Sequence, residues 1–217
     1  MAEPFDDSIE SRLSSSSPHT GEGIVIDIGT GDGRFVYHSA RANPNKFYIG
    51  IDANPRPLEK ISEKIHRKPA KGGLPNVLFL QAAIEELPSE LDGVADEVHV
   101  HFPWGSLLSV VASGDENGLR NLRRVCAPDG VLEIIIGLDP ERDASEIQRL
   151  GIERFSIQDF DQELEPRYRA CGFKIIERGV LPRSEWPTLR TTWATRLRSN
   201  ETRTLVYIIA RAASVLP

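Results

Sequence analysis

From residue 23 onward, short apolar runs rich in β-branched residues alternate with stretches in which apolar positions recur every three or four residues. The runs predict strands over 24–28, 47–51, 77–81, 97–102 and 132–136, and the periodic stretches predict helices over 34–42, 56–68, 118–125 and 159–170. Such alternation needs crossover connections, so the expected fold is α/β: a doubly wound, mostly parallel sheet with helices on both faces. Two later runs, 173–176 and 205–210, read as closing strands that pair antiparallel at the sheet edge. In the helix over 56–68, Leu58, Ile61 and Ile65 take the buried side. Lys60, Lys64, Arg67 and Lys68 line the other, and Pro69 should end the helix. Residues 1–22 hold too few apolar side chains to pack and carry a serine run at 14–17, so a flexible arm is expected there, with one domain over 23–217.

Composition narrows the class. A chain of 217 residues, 40% hydrophobic, suits one large domain with a full core, and no apolar run nears the roughly 18 residues of a membrane span. The first twenty residues are acidic and Ser-rich where an export signal is basic and then apolar, which predicts a cytoplasmic protein. Cys126 and Cys171 are then expected to be packing residues in a reducing compartment. A net charge of −6 argues against a polyanionic partner, but its distribution does not. Residues 115–165 carry 13 acids against 6 arginines, whereas 56–71 carry six bases against two acids and 183–203 five arginines against two acids. One face is free to meet phosphates.

The segment IDIGTGDGR over 26–34 is a strand, a glycine loop and a helix start. A dinucleotide fingerprint would space its third glycine one position later, where Arg34 stands. Asp27 and Asp32 flank Gly29 and Gly31 with two carboxylates, which repel a pyrophosphate and suit a cationic sulfonium. Asp52 ends the second strand, where its carboxylate can accept from both hydroxyls of a ribose. Ile84 and Glu85 follow the third strand. The competing readings are a tight turn that binds nothing and a dehydrogenase. D-x-G-x-G-x-G resembles motif I of class I S-adenosylmethionine-dependent methyltransferases, whose ribose-binding acid Asp52 would supply and whose adenine segment 83–85 matches.

The fourth strand runs into FPWGSLL over 102–108, placing Trp104 at the rim of the sheet, and TTWATRL over 191–197 sets Trp193 among arginines. Two aromatic faces can hold a base drawn from its stack, although a lone tryptophan is more often core. His99 and His101 project from one side of a strand and could suggest a metal, but no cysteine or carboxylate cluster completes the set. They are read as ordinary strand residues, with no metal expected.

IDIGTGDGR, YIGIDANP (48–55), KPAKGGLPN (68–76), FPWGSLL and TTWATRL together resemble the aminoglycoside-resistance methyltransferases of the kanamycin-apramycin type, which modify N1 of adenine 1408 in the 16S ribosomal RNA decoding site. The likeness runs from about residue 23 onward. It implies that Asp27, Gly29, Gly31, Asp32, Asp52, Ile84 and Glu85 hold S-adenosylmethionine, with S-adenosylhomocysteine as product. It implies further that Trp104 and Trp193 stack on the flipped adenine, while Pro103, Ser106 and Thr191 shape its pocket. Lys64, Arg67, Lys68, Arg196 and Arg203 would meet RNA phosphates, with the 30S subunit as partner of a monomeric enzyme. A transfer RNA (guanine N7) methyltransferase and a non-catalytic S-adenosylmethionine-binding RNA module are the alternatives.

Overall fold

Seven strands form one sheet in the order β3-β2-β1-β4-β5-β7-β6. They are β1 (Ile24–Ile28), β2 (Phe47–Asp52), β3 (Val77–Gln81), β4 (Ala95–His101), β5 (Cys126–Leu138), β6 (Phe173–Val180) and β7 (Thr204–Ala212). The computed structural model describes residues 23–139, 141–152, 163–181 and 204–214. The expected arm over 1–22, the start of the helix expected over 159–170, and Thr191, Trp193, Arg196 and Arg203 lie outside these residues.

The first five strands are parallel, and β7 runs antiparallel to both of its neighbours, β5 and β6. The expected antiparallel pairing at this end of the sheet is therefore present, with the reversed strand set one place in from the edge. Chain order reverses between β1 and β4, the crevice where open α/β sheets take their ligands.

Strand residues alternate between two faces. Val25, Tyr48 and Val77 pack on one side against Val36, Tyr37 and Ala40 of α1 (Arg34–Ala42) and Ile65 of α2 (Glu59–Ile65). On the other side Ile26, Ile49, Val98 and Ile134 share a continuous core with Leu108 of α3 (Gly105–Ser113) and Leu119 and Leu122 of α4 (Glu116–Val125). Two short helices, α5 (Ala144–Arg149) and α6 (Glu165–Ala170), complete the described elements. The α6 ring of Tyr168 is fully buried, and its hydroxyl donates to the Val111 carbonyl at 2.9 Å. Cys126 and Cys171 are free and buried, as expected of packing residues, and burial pushes the Cys126 thiol up to about 12.

The helix expected over 56–68 is shorter. A 3-10 turn, Arg56–Leu58, leads into α2, which stops at Ile65 because the Leu74 amide takes the Ile65 carbonyl at 2.9 Å and Lys68 must be extended ahead of Pro69. Arg67 and Lys68 thus stand in the following turn and do not extend a helical stripe with Lys64.

Candidate active site

The glycine loop binds to its neighbouring strand before it can bind anything else. The amides of Gly29 and Thr30 donate to the Ile51 carbonyl at 2.8 and 3.0 Å, and the Gly31 amide donates to Asp52 Oδ2 at 2.7 Å. Gly29 has φ +77°, and a Cβ there would sit 2.7 Å from Leu107 Cδ2, so only glycine fits. Gly31 has φ +61° and meets nothing within 4 Å, because it faces open space. Asp52 uses its other oxygen to fix the Asn54 amide at 2.9 Å, yet each carboxylate oxygen keeps a lone pair for a ligand hydroxyl.

These residues wall a cavity of about 440 Å³ at the C-terminal ends of β1, β2 and β4, within the range of small-molecule sites. Asp27, Gly29, Gly31, Asp32, Asp52, Ile84, Pro103, Trp104 and Ser106 all line it. Glu85 does not. It is exposed beside the cavity, and the side chain of Asn121 pins its turn by donating to the Ile84 carbonyl at 2.9 Å.

Two residues of the wall each keep a buried polar atom without a hydrogen-bond partner among the described residues, Asp27 Oδ1 and His101 Nδ1. Burial holds the Asp27 carboxyl above its usual range, with the facing His101, a hydrogen bond to Thr30 and the charge of His99 only partly offsetting it. A buried carboxyl with an unpaired oxygen suits a ligand that brings a positive charge and N–H donors, which is what the methionine end and sulfonium of S-adenosylmethionine offer.

The rim on the β4 side is held in a strained turn. Phe102 has φ +52°, a conformation that costs a bulky residue about 1–2 kcal/mol, and its amide is tied to the Ile135 carbonyl at 2.7 Å. The next residues bury Pro103 and leave Trp104 half exposed at the start of α3. Glu146 of α5 accepts from the Gly105 amide at 3.2 Å and grips Arg149 through two hydrogen bonds of 2.7 and 2.6 Å. The Arg149 guanidinium holds the Glu146 carboxyl below its usual range. Trp104 and the exposed Arg149 are therefore set by one carboxylate, which no local pattern betrays.

The basic segment has an organiser as well. The buried ring of Tyr37 carries Lys64 Nζ at 4.0 Å from its centroid, and its hydroxyl donates to the Gly72 carbonyl at 3.0 Å. Arg67 and Lys68 remain exposed beside it. Asn76, which closes the KPAKGGLPN segment, donates to the carbonyls of Ala40 and Lys46 at 3.1 and 2.9 Å and so joins the end of α1 to the start of β2.

The histidine pair departs from expectation. In register, Asp27, His99 and Glu133 form a row across β1, β4 and β5. Glu133 Oε1 lies 3.1 Å from His99 Nδ1 and 2.7 Å from His101 Nε2, so a carboxylate does complete a His-His-Glu set. Thirty-odd residues of sequence hid it; strand pairing supplies it.

A mostly parallel sheet with this strand order, a glycine loop fixed by the acid of the second strand, and a cavity suited to a cationic ligand define a class I S-adenosylmethionine-dependent methyltransferase. The family model "NpmA: 16S rRNA (adenine(1408)-N(1))-methyltransferase" matches residues 9–212. A 16S rRNA (adenine(1408)-N(1))-methyltransferase of Streptoalloteichus tenebrarius is 40% identical over 181 residues, 83% of this chain and 82% of that protein. Among solved structures, the aminoglycoside resistance methyltransferase NpmB1 is 46% identical with a TM-score of 0.79, covering 94% of this chain and 92% of its own. A tryptophan-to-alanine mutant of the enzyme from Catenulisporales acidiphilia, solved with cosubstrate SAM, is 33% identical with a TM-score of 0.83, covering 93% and 91%. The chain belongs to the family of 16S rRNA (adenine(1408)-N(1))-methyltransferases.

Proposed function

We propose that this enzyme methylates N1 of adenine 1408 in 16S ribosomal RNA, with S-adenosylmethionine as donor and S-adenosylhomocysteine as product. The single observation that carries the reading is the half-exposed Trp104 on the wall of the cavity that holds the unpartnered Asp27 oxygen: one opening presents a stacking surface for a base and a site for a cationic donor. Asp27 and Thr30 would take the charged end of the cofactor, Asp52 its ribose, and Ile84 with the 83–85 turn its adenine. When bound, S-adenosylmethionine supplies an electrophilic methyl group. Adenine N1 has its own lone pair, so no side chain need act as base. The work of the protein is to stack the extruded base on Trp104, with Trp193 as the second face, and to exclude water around it, with Pro103, Ser106 and Thr191 forming the wall. Arg149, Lys64, Arg67, Lys68, Arg196 and Arg203 would meet RNA phosphates. The methylated base is a cation, which disfavours a cationic aminoglycoside at the same spot and accounts for resistance. The substrate is taken to be the assembled 30S subunit and the enzyme a cytoplasmic monomer. Among the described residues no helix is long and apolar enough to cross a membrane.

The test is methyl transfer from labelled S-adenosylmethionine to isolated 30S subunits, with the modified position mapped by reverse transcription. A stop at adenine 1408 is the expected result; label in transfer RNA alone would move the assignment to the guanine-N7 alternative, and cofactor binding with no turnover on any RNA to the non-catalytic module. Trp104→Ala should lower the transfer rate by about 10²-fold or more while leaving the S-adenosylmethionine Kd within a few-fold, since only the base loses its support.

A further inference from the structure

His99 and His101 of β4 and Glu133 of β5 lie outside the roles assigned above, yet their ligand atoms converge. His99 Nδ1 and His101 Nε2 are 3.3 Å apart, and each faces the same oxygen, Glu133 Oε1, at 3.1 and 2.7 Å. A tetrahedral ion with bonds of about 2.0–2.1 Å spaces its ligands about 3.3 Å apart, so two edges of this triangle already fit and the third needs to open by roughly half an ångström. We propose that these three side chains form a binding site for a divalent transition-metal ion of the zinc type, next to the cofactor cavity.

Four further observations support a built site. The ring of Phe35 packs against both imidazoles, with centroids 5.3 Å from His99 and 4.8 Å from His101, and so fixes their orientation. The far nitrogen of His99, Nε2, lies 3.5 Å from Glu97 Oε2, and Glu97 is held at 2.7 Å by Lys46. A carboxylate behind a ligating imidazole is the arrangement that selects its tautomer and strengthens it as a donor. His101 and His99 are nearly enclosed while Glu133 is about one-third exposed, which gives the ion a way in and leaves a coordination position open. Two nitrogens and one carboxylate favour zinc, cobalt or iron over magnesium or calcium, which prefer oxygen alone.

The site has a direct line to the cofactor cavity. His101 is among the residues that line that cavity, and its other ring nitrogen, Nδ1, is buried without a partner among the described residues. An ion on Nε2 obliges Nδ1 to carry the proton and so fixes the tautomer of a residue on the cavity wall.

The experiment uses the full chain, stripped of metal with a chelator and titrated with Zn(II) in competition with a chromophoric chelator, and separately with Co(II). One equivalent is expected to bind with a Kd of micromolar or tighter, and Co(II) to give the intense visible absorption of low-coordinate cobalt. His99→Gln and Glu133→Gln should each weaken uptake by about tenfold or more. A Cys126→Ser, Cys171→Ser double variant should bind as the parent does. An unchanged far-UV circular dichroism spectrum reports that the Glu133→Gln sheet is intact; should His99→Gln fail to fold, Glu133→Gln decides. Absence of stoichiometric uptake, a cobalt spectrum identical to the aqueous ion, or unchanged affinity in Glu133→Gln overturns the site.

Discussion

A carboxylate buried between strands with one oxygen unbonded weighs against folding and in favour of a cationic ligand, and Asp27 is in that position. Because its folded pKa lies above the ordinary 3.8, ionising this carboxyl costs the unliganded fold stability as the pH rises above that ordinary value. Asp27→Asn should therefore raise the melting temperature of the free enzyme by a few degrees while weakening S-adenosylmethionine by about tenfold or more, measured by thermal melts and calorimetric titration. A variant that loses both stability and affinity would contradict this account. Phe102 adds a local cost of another kind, a left-handed backbone two residues before Trp104.

Arg123 of α4 ties two elements distant in sequence. Its guanidinium, 7% exposed, donates to the carbonyls of Cys126 at the head of β5 and of Ala213 just past β7. Arg123→Leu leaves both carbonyls without that donor and should cost about 2 kcal/mol, read as a lower urea midpoint with an unchanged slope. Nothing local announces this role, since Arg123 sits in a helix whose pattern is otherwise ordinary. The elements themselves were legible where one face was apolar and the other polar: α1, α4 and the central strands fall where their periodicity puts them. The pattern was silent for α3, because Leu107, Leu108, Val110, Val111 and Ala112 are all buried and leave little polar face to set the phase. It overran α2, because a chain continuing in helical rhythm was captured by Leu74. At the site, the loop glycines, Asp27, Asp52 and Trp104 were readable as local motifs. The Glu146 clamp, the Tyr37 anchor and the His-His-Glu set were not, because each is made by residues that only strand pairing or helix packing brings together.

For the molecule as a whole, a net charge of −6 coexists with a polyanionic substrate because the bases are gathered around α2 and the turn after it. Reversing charge at Lys64, Arg67 and Lys68 together should weaken binding to 30S subunits and reduce the slope of log affinity against log salt by about 2–3, one phosphate contact contributing roughly 0.7–0.9. A parallel shift with no change in slope would remove these residues from the interface. Stability should also depend on pH in the alkaline range. Burial opposes charge on His99, but the hydrogen bonds it donates to Glu133 and Glu97 outweigh it and raise its pKa from 6.5 to about 9. This stabilisation is complete below about pH 6.5 and is lost as the pH rises through 9; it is worth on the order of 3 kcal/mol. Denaturation measured at both ends with a chelator present should show the loss, and His99→Gln should flatten the profile.

The placement of β7 also bears on how the chain is made. Among the described residues β6 pairs only with β7, so during synthesis β6 leaves the ribosome about 24 residues before its partner. At roughly 5–20 residues per second that is an interval of about 1–5 s in which an apolar strand edge, with Ile176 and Val180 still half exposed even in the finished fold, waits unpaired. The nascent enzyme thus passes through a brief aggregation-prone stage, and a slow codon between β6 and β7 would lengthen that stage and lower the yield of soluble protein.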